Sequence, residues 1–188
     1  KNRSNSVMFA AAENGRSAAV MALISLGADV HAHNDQQWTA LHLATAKAHV
    51  VTVTVLACLG ADVHAHIDQQ FTALHLAAVY GHTATVSTLA SVGADVRARA
   101  DQQCTALHLA AAKGHTTTVS TLASLGADIH AGTEEQWTAL HLAAAKGNTA
   151  TAIALTSLGI DVHARNRQQG TALHLAAALG HESTVTAL

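Results

Sequence analysis

Proline is absent from all 188 residues, and cysteine occurs only twice, as Cys58 and Cys104. Two thiols cannot build the disulfide framework of a small secreted domain, so the chain is expected in a reducing, intracellular and cytoplasmic setting. Long apolar runs are missing too: none approaches the roughly 18 uncharged residues of a membrane helix. Nor does the opening Lys1-Asn2-Arg3-Ser4 lead into a signal-peptide core, and neither secretion nor membrane insertion is expected. Charge is scarce at 12%, with ten Lys and Arg against twelve Asp and Glu. That balance excludes the strongly basic field of non-specific nucleic-acid binding, so no nucleic acid is expected as a partner. Only five side chains are Trp, Tyr or Phe, whereas 49% of residues are apolar, enough for a folded core built mainly from Leu, Val and Ala.

What the sequence has instead is repetition. Thr-Ala-Leu-His-Leu-Ala begins at Thr39, Thr72, Thr105, Thr138 and Thr171, always 33 residues apart. Gly-Ala-Asp recurs on the same period at Gly27, Gly60, Gly93 and Gly126, with Gly159-Ile160-Asp161 as a near copy. The chain therefore divides into a divergent first repeat (1–33), four full repeats (34–66, 67–99, 100–132 and 133–165) and a truncated last one (166–188). Within a repeat the threonine caps a helix made of good helix formers, from Ala40 to Lys47 in the second repeat. Gly81-His82, Gly114-His115 and Gly180-His181 end it, and a second helix follows, marked by Val86, Leu89 and Val92. Gly93-Ala94-Asp95 closes that helix, and a polar loop or hairpin leads to the next threonine. One helix pair cannot bury both of its apolar faces, so the repeats must stack. Leu107, Leu109 and Leu122 are expected in the continuous core. The last repeat stops within its second helix, and a frayed end or a longer parent chain is expected.

These residues resemble ankyrin repeats over essentially the whole chain. The resemblance implies an all-α repeat solenoid, an ankyrin-like stack of helix-turn-helix units with hairpin loops, in one domain and as a monomer. The sequence departs from the family at two places. Ala40, Ala73, Ala106, Ala139 and Ala172 stand where the family usually has proline. Gln37, Gln70, Gln103, Gln136 and Gln169 replace the hairpin glycine: either each holds a left-handed backbone at about 1–2 kcal/mol, or the turn has changed type. The second helices also carry threonine, as at Thr116, Thr117, Thr118 and Thr121, which predicts a neutral surface.

Fifteen histidines invite a metal or acid–base reading. Thirteen recur at fixed repeat positions, and the resemblance makes them framework residues: His42, His75, His108, His141 and His174 in the threonine string, His49, His82, His115 and His181 between the helices, and His31, His64, His130 and His163 after Gly-Ala-Asp-Val or its variants. Only His33 and His66 fall where the repeats vary. No cysteine pair or carboxylate joins them at ligand spacing, so neither a metal nor another cofactor is expected. Hydrolase, phosphate-loop and zinc-protease motifs are all missing, and no catalysis is expected.

Phe9 stands at the framework-histidine place of the first repeat and reads as packing. The other aromatics, Trp38, Phe71, Tyr80 and Trp137, all occupy variable positions. By resemblance, the residue before each threonine and the variable pair late in the first helix line a concave binding face. Lys47, Lys113 and Lys146 join that face, as do Asp35, Asp68, Asp101 and Glu134 with Arg99 and Arg165, and His33 and His66 would lend it a dependence on pH. Aromatic anchors among mixed charges suit a protein or peptide partner. The alternative is a structural spacer or an engineered repeat scaffold without a native ligand, its aromatics merely packing hairpin against hairpin.

Overall fold

The computed structural model describes residues 3–188. Its helices come in pairs, one pair per repeat. The first three pairs are α1 (Arg3–Glu13) with α2 (Ser17–Ser25), α3 (Ala40–Ala46) with α4 (Val50–Cys58), and α5 (Ala73–Val79) with α6 (Thr83–Ser91). The remaining three are α7 (Ala106–Lys113) with α8 (Thr116–Ser124), α9 (Ala139–Ala145) with α10 (Thr149–Ser157), and α11 (Ala172–Ala178) with α12 (Glu182–Ala187). Among the described residues there is no strand, only isolated bridges at His66–Thr72 and Arg99–Thr105.

Two compact units are present: one runs up to Ala77 and adds Ala84–Asp95, the other joins Ala78–Thr83 to Val96–Leu188. In the first, α1 packs on α2 and α3, while α4 packs on α2 and α3. In the second, α7 packs on α8 and α9, α10 on α8 and α9, α11 on α9, and α12 on α10 and α11. Helix pairs thus stack in sequence within each unit.

From the second repeat on, each first helix is started by its threonine. Thr39 Oγ1 accepts from the His42 backbone N–H, and the ring of His42 returns the favour by accepting at Nδ1 from Thr39 N–H. This reciprocal box recurs at Thr105, Thr138 and Thr171, so helix start and framework histidine are one device. Leu41, Leu74, Leu107 and Leu140 from the first helices are essentially fully buried, as are Leu56, Leu89, Leu122 and Leu155 from the second. Leu109, expected beside them, is only half-buried.

The threonine surface also needs correction. Of the four in α8 only Thr117 is exposed, and Thr118 is buried. Threonines 35 residues apart share a hydrogen bond: Thr83–Thr118 at 2.8 Å, Thr116–Thr151 at 2.8 Å and Thr149–Thr184 at 2.7 Å. The ladder is broken at Thr85. Its buried hydroxyl finds no partner, because Val50 stands where the next three repeats have threonine. Val50→Thr is expected to raise stability by about 1 kcal/mol, read as the urea midpoint. An equal gain in a Thr85→Val background would show that the pairing is not its source.

Candidate binding surface of the hairpins

Between repeats the chain forms five short hairpins, each closed by one backbone bond. Asn34, Ile67, Ala100, Thr133 and Asn166 donate their N–H to the carbonyls of Trp38, Phe71, Cys104, Trp137 and Gly170, at 2.7 to 3.0 Å. The first residue of each hairpin decides how its turn is made. Asn34 Oδ1 accepts from Gln36 and Trp38 N–H, both at 2.9 Å, and Asn166 Oδ1 serves Gln168 and Gly170 in the same way. Thr133 Oγ1 accepts from Trp137 N–H at 3.1 Å. Ile67 and Ala100 offer no such acceptor. Their turns tighten into single 3-10 turns, Asp68–Gln70 and Asp101–Gln103, in which two successive glutamines are left-handed instead of one.

The glutamines at the family's glycine position do keep the glycine conformation. Their φ values are 61° at Gln37, 59° at Gln70, 61° at Gln103, 59° at Gln136 and 63° at Gln169. All five are exposed. The turn type has been retained under strain rather than replaced.

On this frame the candidate residues fall as follows. In the first compact unit Trp38 and Phe71 are half-buried, and each ring rests on the framework histidine of its own repeat. The ring centroids are 6.2 Å apart for Trp38–His42 and 5.5 Å for Phe71–His75, the latter pair stacked. His33, Asp35, Lys47, His66 and Asp68 are exposed, and Lys47 Nζ lies 3.9 Å from Glu13. In the second unit Trp137 stands 6.3 Å from His141, while Tyr80, 50% exposed, stacks on His82. Asp101, Lys113, Glu134 and Lys146 are exposed as well. Arg99 and Arg165 are exposed but held, since each donates from Nη1 to the glutamine carbonyl of its own hairpin, at 3.4 and 3.2 Å. Consecutive hairpins of this unit also bond directly, Glu134 N–H to Gln102 O and Arg167 N–H to Glu135 O.

The histidines divide more finely than repeat position implies. His42, His75, His108 and His141 are buried, whereas their counterpart His174 is exposed. His49, His115 and His181 place Nε2 2.9 to 3.1 Å from the carbonyls of Glu13, Val79 and Ala145 in the preceding repeat. Gly81 makes room for this. A Cβ there would meet the His115 ring at 2.6 Å, and its φ of 71° disfavours any other residue. The other four, His31, His64, His130 and His163, are exposed, and only their backbone N–H groups are tied down, by Asp29, Asp62, Asp128 and Asp161. They belong to the surface and not to the framework.

Burial pushes His42 and His108 down to about 4, with the Ala65 and Ala131 carbonyls opposing in part. His141 is lowered for the same reason. Since Nδ1 of His108 accepts from Thr105 N–H, the ring is neutral with its proton on Nε2, which reaches Ala131 O at 2.9 Å. Cys104 is raised to about 11 by burial, which leaves it a poor nucleophile. Among the described residues no three His, Cys, Asp or Glu side chains are grouped to hold a metal ion, and no helix is long and apolar enough to cross a membrane.

Paired helices capped by Thr and His, joined by hairpins and stacked through buried leucines, agree with a family match. The family described as ankyrin repeats (3 copies) matches residues 1–67, 59–133 and 125–188. The chain belongs to the ankyrin repeat family. Ankyrin repeat domains are typically protein-binding and generally non-catalytic. No curated protein matches this chain. One grouping of side chains on this ankyrin scaffold was not foreseen from repeat position: Arg97, Arg99 and Asp128 come together at a cleft. Arg97 escaped notice because its position holds histidine in the other full repeats.

Proposed function

We propose that this ankyrin chain is a non-catalytic module that binds a protein or peptide through the hairpins and late first-helix positions of its repeats. The observation that carries this reading is the placement of its scarcest side chains. Trp38, Phe71 and Trp137 are braced by buried histidines yet keep part of each ring in solvent, and Tyr80 stands half exposed at the end of α5. A ring held on a rigid support loses little freedom on binding, which is the property of an anchor residue. Exposed glutamines and the charges of Asp35, Asp68, Asp101 and Glu134 stand on the same hairpin segments as these residues or on neighbouring ones.

The same contacts also favour a second reading, in which the rings serve only to shield the histidines of a spacer. Partner capture with the parent and a Trp38→Ala/Trp137→Ala variant separates the two. Two lost anchors should weaken retention of a captured partner by about 30-fold or more while the melting temperature changes little. Unchanged retention, or loss of fold in place of loss of binding, supports the spacer.

A further inference from the structure

We propose that the cleft between Arg99 and Asp128 in the second compact unit binds the side-chain carboxylate of an acidic peptide. This inference rests on the peptide-binding reading above and adds the chemistry of the peptide. The cleft opens where the segment after α6 runs beside the segment after α8, and it encloses about 180 Å3. Arg97, Arg99, Thr105 and Asp128 line it together with the small or apolar residues Val96, Ala127 and Ala131.

The arginines are set in place by the backbone. Arg99 Nη1 donates to Gln103 O and, at 3.2 Å, to Gly132 O of the next repeat, while Arg97 Nε donates to Gly126 O at 2.9 Å. With Nη1 occupied, the Nε and Nη2 edge of the Arg99 guanidinium is the fork that suits a carboxylate. A side chain already oriented by two carbonyls gives up little freedom when a ligand arrives.

Charge and size choose among anions. Two guanidiniums against one aspartate leave the cleft a single positive charge, which matches a monoanion, and a phosphate dianion would be brought up against Asp128. The volume accommodates a glutamate side chain and is too small for most cofactors. The same cleft exists in the first unit, lined at the corresponding positions by His31, His33 and Asp62, but there it measures only about 80 Å3. There imidazoles stand in place of both guanidiniums beside the carboxylate. Its two arginines set the Arg97–Arg99 repeat apart from every other full repeat, where histidine or glycine occupies at least one of these positions.

The test is a titration of the full chain, labelled with 15N, with the tripeptide amide acetyl-Glu-Glu-Glu, following the Nε–Hε resonance of Arg99 at pH 7. A saturable shift is expected, together with at least tenfold weaker binding to Arg99→Gln, several-fold tighter binding to Asp128→Asn and no change for Arg16→Gln. Amide spectra of the variants verify their fold. Three results would overturn the proposal: unaltered binding by Arg99→Gln, equal binding of acetyl-Gln-Gln-Gln amide, or tighter binding of the corresponding phosphoserine tripeptide. The tryptophan test is independent of this one. Acidic-peptide binding that survives Trp137→Ala keeps the cleft even if the ring anchors fail, and intact anchors beside a cleft without affinity for glutamate sink only the present inference.

Discussion

Lowering the pH from 7 to 5 is expected to destabilise both compact units. His42 in the first unit and His108 in the second are both held near 4, against an unfolded value of 6.5, so between those limits the unfolded chain binds more protons than the folded one. Stability contributed by the neutral rings is present above pH 6.5 and drains away as the pH falls towards 4. Each ring loses up to about 1.4 kcal/mol per pH unit over that window, on the order of 3 kcal/mol in all. His141 adds to this in the same direction. Carboxylates contribute little here, because the Arg167–Glu135 and Lys47–Glu13 pairs have side chains about half exposed or more. Urea midpoints measured from pH 7 to 4.5 in single-tryptophan variants read the units separately, Trp38 reporting the first and Trp137 the second. A steep fall beginning near pH 6.5 is expected, and His108→Gln should flatten it for the second unit alone. Midpoints that stay level down to pH 5 would show that the buried imidazoles do not govern the acid response.

The 33-residue period made the helix pairs, their caps and the hairpins readable from sequence, because each is encoded by neighbours within a few residues. Thr39 and His42, or Gly114 at the end of α7, need no knowledge of what packs on them. Contacts between repeats were harder to see. Thr118 reads as one more weak helix former until Thr83, 35 residues earlier, is brought within 2.8 Å, and only the packing then shows why Thr85 opposite Val50 is left without a partner. Repeat position misled in the other direction at His31 and its three equivalents. Recurrence suggested a framework role, yet the recurring element is the aspartate turn that holds their backbone, and the imidazoles point to solvent. The aromatic positions were legible as variable sites, but their contact with His42, His75 and His141 was not, since it depends on how the hairpin folds over the cap of its own helix.

Replacing the five strained glutamines with glycine is expected to stabilise this chain. An L-residue pays about 1–2 kcal/mol to stand in the left-handed region, and glycine there returns about 0.5–1 kcal/mol of that as extra entropy of the unfolded chain. The net gain is thus about 0.5–1 kcal/mol at each of Gln37, Gln70, Gln103, Gln136 and Gln169, or about 2.5–4 kcal/mol for the set where the hairpins act independently. Gln69 and Gln102 stay strained in the two 3-10 turns, so the changes at Gln70 and Gln103 should come at the lower end. Calorimetric melting of Gln136→Gly beside Gln136→Ala isolates the backbone term. Both remove the amide, but only glycine relieves the φ of 59°, so glycine must be the more stable of the two. Equal melting temperatures would mean that the side chain, not the backbone, sets the cost. If glutamine is retained at these exposed tips because its amide meets the bound peptide, the fivefold glycine variant will be more stable and bind more weakly. That opposition of stability and affinity is the result expected of a strained residue held for function.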